Sequence, residues 1–219
     1  MANATATPGT AAEPIPTDAL LVQLTLPAGA QALLPALLQH LHSAAPHADR
    51  PVHAALSKDH GTLYAYLHFD KRTPVEKSAA NALATSLRTK WPLLQDVRVS
   101  RLEQVFAIAG ASASAKTVFH YTVEMDPESG WMPELSEWYD TEHMPGLATV
   151  PGCVSASRFL NHDHGPLSLA CYDLVTEETL GSPPWLAIRG TEWSSRMRPR
   201  FTNTIRTMFT LLLDSTQRN

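Results

Sequence analysis

A chain of 219 residues with 44% hydrophobic and 17% charged residues has a globular composition, long enough for one large domain or two of roughly 100 residues each. Its net charge of −4 leaves no basic footprint for nucleic acid, and no run reaches the ~20 apolar residues of a membrane-crossing helix. The two cysteines are too few for a disulfide framework and the N-terminus lacks a secretory pattern, so a cytoplasmic protein is expected.

Residues 1–17 are small, Pro-bearing and aperiodic, and read as a disordered leader. From Asp18 a strand alternates Leu20, Val22, Leu24 and Leu26 against Leu21, Gln23 and Thr25. Leu33, Leu34, Leu37, Leu38 and Leu41 then recur at helical spacing, with Pro35 in the first turn or at a kink. VHAALSK and TLYAYLHF form two strands around the turn residues Asp59, His60 and Gly61. Residues 74–90 follow as a helix with Pro74 at its start, and 93–108 as a last strand. That is β-α-β-β-α-β over residues 18–109, with a small-residue linker at 110–116.

The same order recurs over 117–219. VFHYTVEM is a strand placing His120, Thr122 and Glu124 on one face, and a helix spans roughly 131–144. GCVSASRFL and LSLACYDLV form a hairpin about the polar turn 161–165. Folding it sets Cys153 nearer to Asp173 than to Cys171, so no bridge between the cysteines is expected. A helical segment broken by Pro183 and Pro184 precedes a final strand with Ile205, Thr207, Phe209, Leu211 and Leu213 on one face.

The expected class is therefore α+β, with two tandem ferredoxin-like βαββαβ units, each an antiparallel sheet with two helices on one face. The other sheet faces carry apolar residues, read as Leu21, Met208 and Leu212, and need cover. Packing the sheets face to face as an α/β barrel supplies it, within one chain or between two; a homodimer is expected.

Chemistry concentrates in the helix of the second unit. Trp138, Tyr139, Glu142, His143 and Pro145 are followed by Pro151-Gly152 and Arg158. This run resembles the dimeric α/β-barrel superfamily, and within it EthD-like proteins, over about residues 117–213. The resemblance implies one of many small-molecule roles, monooxygenases, isomerases, cyclases and dehydratases among them, so the fold does not supply a reaction.

The residues carry their own reading. Helical spacing stacks Tyr139 near His143 and Trp138 near Glu142. Pro145 and Gly146 would end the helix after His143, placing the imidazole at the negative end of the dipole and favouring its protonated form. A histidine beside a phenol suits proton transfer on a carbonyl-bearing substrate. His143, Tyr139 and His120 are the candidate catalytic residues, and Trp138, Glu142, Glu124 and Arg206 the candidate substrate contacts, with Arg206 set opposite Glu124. The competing reading makes His143 a cap and the aromatics packing. Arg158 is expected to pair with Asp140 or Glu142, and Arg196, Arg198 and Arg200 form a solvated face or a carboxylate clamp.

His40 and His42 point to different helix faces, and no HExxH or Cys/His ligand spacing occurs, so no metal is expected. The leading expectation is a cofactor-independent enzyme moving a proton on a small hydrophobic oxygenated ligand. The alternatives are a non-catalytic binding protein and a haem protein. Haem enters only because chlorite-dismutase-like proteins, which this chain's organisation resembles, also pair two such units and ligate haem from the second; His120 or His143 would then be the ligand.

Overall fold

Alternating apolar residues build eight antiparallel strands, and the order in which they pair decides where a site can form. The computed structural model describes residues 13–44, 52–59 and 61–212. The leader up to residue 12, His60 and Leu213 lie outside them.

The first unit comprises β1 (Ile15–Thr25), α1 (Leu34–Ala44), β2 (His53–Ser57), β3 (Thr62–Val75), α2 (Lys77–Lys90) and β4 (Gln95–Ala109). The second comprises β5 (Phe119–Pro127), α3 (Met132–Trp138), α4 (Met144–Ala148), β6 (Cys153–Asn161), β7 (Ser168–Leu174), α5 (Pro183–Arg189), α6 (Glu192–Met197) and β8 (Phe201–Leu212). β1 starts three residues before Asp18, because Ile15, Pro16 and Thr17 pair with Val75, Pro74 and Thr73. Pro74 thus ends a strand, and α2 begins only at Lys77. Pro35 sits in the first turn of α1, where a missing N–H costs little.

The pairing order β1-β3-β2-β8-β5-β7-β6-β4 closes into a barrel, both seams lying between the units. Ala54–Ser57 of β2 pair with Phe209–Leu212 of β8, and β4 pairs with β6 from Leu102↔Asn161 to Ala109↔Ser155. The barrel closes within one chain. Each unit buries an apolar layer between its helices and the sheet, around Leu37, Leu41 and Leu87 in the first and Trp138, Tyr139 and Trp185 in the second. A third cluster fills the interior between the sheets: Leu21, Tyr64, Tyr66, Leu102, Phe159, Leu169 and Phe209. Met208 and Leu212 instead face the helix layers, so of the three residues read as lining the inter-sheet face only Leu21 does so.

A buried ion pair ties the units together. Asp163, in the turn between β6 and β7, accepts from Arg101 Nε at 2.9 Å, from its Nη2 at 2.8 Å and from its backbone N–H at 2.8 Å. Their side chains are 1% and 2% exposed. Arg101 Nη1 also donates to the Val75 carbonyl, so its remaining charge is not stranded. The linker after β4 hugs the start of β6: a Cβ on Gly110 would meet the Cys153 carbonyl at 2.2 Å, so only glycine fits. Both cysteines are free and buried. No helix among the described residues is long and apolar enough to cross a membrane.

Candidate functional site

Directly paired residues of antiparallel strands point to the same sheet face. His120 of β5 pairs with Asp173 of β7 and with Phe209 of β8; Ser155 of β6 pairs with Asp173, and His53 of β2 with Tyr66 of β3. Barrel closure turns all of these faces inward. At one end of the interior His53, Tyr66, His120, Ser155 and Asp173 line a cavity of about 560 Å³, together with His68, Ser157, Cys171, Ala109 at the end of β4 and Ala113 of the linker.

A hydrogen-bonded chain runs along its wall. Ser155 Oγ donates to Asp173 Oδ2 at 3.0 Å, and Asp173 Oδ1 lies 2.8 Å from His120 Nδ1. His120 Nε2 lies 3.0 Å from Tyr66 Oη, which is also 3.6 Å from Cys171 Sγ. His53 Nε2 stands 3.5 Å from His120 Nδ1 and 3.6 Å from Asp173 Oδ1. Burial works against charge on both His120 and Asp173, but it is outweighed: Asp173 and then Cys171 raise His120, while His120, with His53 and Ser155, lowers Asp173. Burial, then the repulsion of His120, pushes His53 down to about 4. Burial, with Cys171 and Tyr64 as neighbours, holds the Tyr66 phenol well above its usual 10, so it is a neutral donor. These groups come from five strands and both units.

The residues singled out from the sequence fall into three places. His120 lines the cavity. Glu124 lies in the interior beyond it, buried, accepting from Tyr64 Oη at 2.5 Å, and burial raises its carboxyl. Trp138, Tyr139, His143 and Arg206 gather on the outer face of the second sheet, around a cavity of only about 40 Å³. Glu142 accepts from Thr191 Oγ1 at 2.7 Å, tying the helix to the N-cap of α6.

Two sequence expectations are corrected here. Arg206 does not face Glu124: it pairs with Val123, which points at the helices, while Glu124 pairs with Ile205. His143 does not end a helix. A π-turn over Tyr139–His143, closed by Met144 N–H to the Tyr139 carbonyl, leads into α4 and absorbs Pro145 in that helix's first turn. Burial and then Arg189 and Arg198 push His143 down to about 3, the neutral form. Its ring stacks on Trp138 with centroids 4.1 Å apart. Arg158 does pair with Asp140, at 3.1 Å, and packs its guanidinium over Tyr139.

Neither histidine fits a haem. Pockets for ligands of drug size span roughly 300–1,000 Å³, and His143 faces about 40 Å³. At His120, Asp173 and His53 stand within 3.6 Å of one another around Nδ1, where a macrocycle would collide with them, and Nε2 points at buried Tyr66.

Reading polar residues only on the first strand, the helix and the last strand of the second unit missed Ser155 and Asp173 on its hairpin, and His53 and Tyr66 in the first unit. The signal was available: Tyr64, Tyr66 and His68 share one face at period two, as do Leu169, Cys171 and Asp173.

No family model and no curated protein matches this chain. Solved structures do. A provisionally assigned monooxygenase of Fusobacterium nucleatum superposes with a TM-score of 0.61 at 9% identity, covering 90% of this chain and 94% of that one. An anthrone oxidase-like protein gives 0.55 at 12% identity, with 90% and 92% covered. Chlorite dismutase of Candidatus Nitrospira defluvii gives 0.58 at 11% identity, again over 90% and 92%. At such identities the likeness is one of fold, and the fold is the tandem ferredoxin-like α/β barrel.

Proposed function

We propose that this protein is a small-molecule enzyme whose substrate enters the mouth between the two sheets and has its oxygen protonated through Tyr66. The observation that carries this reading is the Asp173–His120–Tyr66 chain ending in a cavity of about 560 Å³. A cavity of that size with apolar walls at Ile108, Val154 and Phe159 and a few converging polar groups suits a compact oxygenated molecule. As a ketone enolises, Tyr66 gives its proton to the developing oxyanion and His120 Nε2 restores it. Asp173 holds the imidazole in orientation, and water at the open mouth accepts the proton released from carbon. The EthD-like relation proposed for the Trp138–Arg158 run rests on that run alone. The named neighbours, two of them tied by name to oxidation of small molecules, support a substrate of this class without fixing it.

The test is hydrogen–deuterium exchange at the carbon acid of anthrone, followed by NMR under nitrogen. Acceleration by the full chain, reduced ~10²-fold or more in Tyr66→Phe, is the expected result. Binding of anthrone with no acceleration would favour a non-catalytic binding protein. Equal acceleration by Tyr66→Phe and the unaltered chain would overturn the relay.

A further inference from the structure

The same wall holds an arrangement the proton relay does not use in full. His53 Nε2, His120 Nδ1 and Asp173 Oδ1 converge with mutual distances of 3.5, 2.8 and 3.6 Å. A proton can bridge only one pair of these three atoms. A metal ion can engage all three. The triangle has a circumradius of about 1.9 Å, so a point ~2.0–2.1 Å from every vertex lies just off its plane, the distance at which zinc holds imidazole nitrogen and carboxylate oxygen. We infer that His53, His120 and Asp173 form one face of a binding site for a divalent first-row transition ion, zinc or iron(II) in class.

Three further observations agree. The outer partners are those a ligating set needs: Tyr66 Oη, 3.0 Å from His120 Nε2, can take that nitrogen's N–H and so leaves the Nδ1 lone pair for the ion. Ser155 Oγ engages Asp173 Oδ2, leaving Oδ1 for the ion. The site is also open on one side, since the side chains of His53 and Asp173 are 29% and 21% exposed and all three residues line the cavity. Two imidazoles and one carboxylate on a single face, with the other positions facing a substrate-sized space, is the donor set of catalytic zinc and non-haem iron centres. No sequence motif announces it, because the ligands come from β2, β5 and β7, and His53 belongs to the other unit.

This inference rests on the reading of the cavity as the functional site, and places an ion where the His120–Asp173 proton otherwise lies. In the metal-bound form the ion polarises the substrate oxygen and Tyr66 orients His120. That exchange makes the two readings separable.

The test uses the full chain, stripped with a chelator and titrated with Co²⁺ alone, read by visible d–d absorption and by calorimetry. One ion per chain with the intense bands of a four- or five-coordinate site is expected. His53→Ala removes a partly exposed ligand at the cavity mouth, and should weaken binding about 100-fold or more with the melting temperature of the metal-free protein little changed. Asp173→Asn serves as the second variant and should do the same. No binding by the unaltered chain, or binding that neither substitution weakens, would overturn the inference. If Co²⁺ fails to bind while Tyr66→Phe still slows anthrone exchange, the metal site falls and the cavity reading stands. Metal binding at this face with exchange unaffected by Tyr66→Phe would retain the site and remove the relay.

Discussion

Two clusters of histidine and aromatic residues stand on opposite faces of the same sheet, and they differ in what closes over them. Trp138, Tyr139 and His143 lie under helices that pack tightly, leaving about 40 Å³. His120, Asp173, Tyr66 and His53 lie where two sheets meet at the barrel's end and leave about 560 Å³. Side-chain chemistry alone ranks the first cluster higher, since its residues are close in sequence. Space ranks the second higher. The lesson is that a local run of reactive-looking residues in a helix is often what fastens the helix, whereas a site assembled from strands far apart in sequence survives because barrel closure leaves it room.

The contrast can be broken at several points. The largest effect expected is on stability: Trp138→Ala, at a ring 1% exposed, should cost about 3–5 kcal/mol in urea unfolding, while His53→Ala should cost under about 1 kcal/mol. Equal costs would mean that the mouth is as tightly packed as the helix layer. Next is activity. Tyr66→Phe should slow anthrone exchange ~10²-fold, about 2.7 kcal/mol of barrier, and His143→Phe run in parallel decides between the two regions. A loss confined to His143→Phe would return the chemistry to the helix.

The smallest expected effect is on pH dependence. Buried His143 takes a proton in the folded chain only near pH 3, but near 6.5 in the unfolded chain. Between those values the unfolded state holds more protons, so the stability His143 contributes is present above pH 6.5 and is lost as pH falls below it. From pH 6.5 to 5 this amounts to ~2 kcal/mol, and His143→Phe should flatten that part of the pH–stability curve. An unchanged slope would mean that His143 is reached by water or an anion in the folded state.

The sequence made the fold legible because alternation and helical spacing are local. Leu20, Val22 and Leu24 against Leu21 and Gln23 define a strand wherever they occur, and the element order follows. Registers between strands were not legible. Arg206 was assigned to the wrong face because facing depends on its pairing with Val123, set across 83 residues of chain by turn geometry and a bulge between Glu124 and Asp126. The site was half legible: His120 was placed on the interior face of β5, while its partners waited on β2, β3 and β7. Only closure of β2 on β8 and of β4 on β6 brings His53 and Tyr66 of one unit to His120 and Asp173 of the other.

The most direct measurement of where function resides is a crystal structure of the full chain soaked with anthrone. Ligand density between the sheets, with its oxygen within hydrogen-bonding distance of Tyr66 Oη, is the expected result. Density against His143 beneath the helices, with the mouth left to solvent, would contradict it.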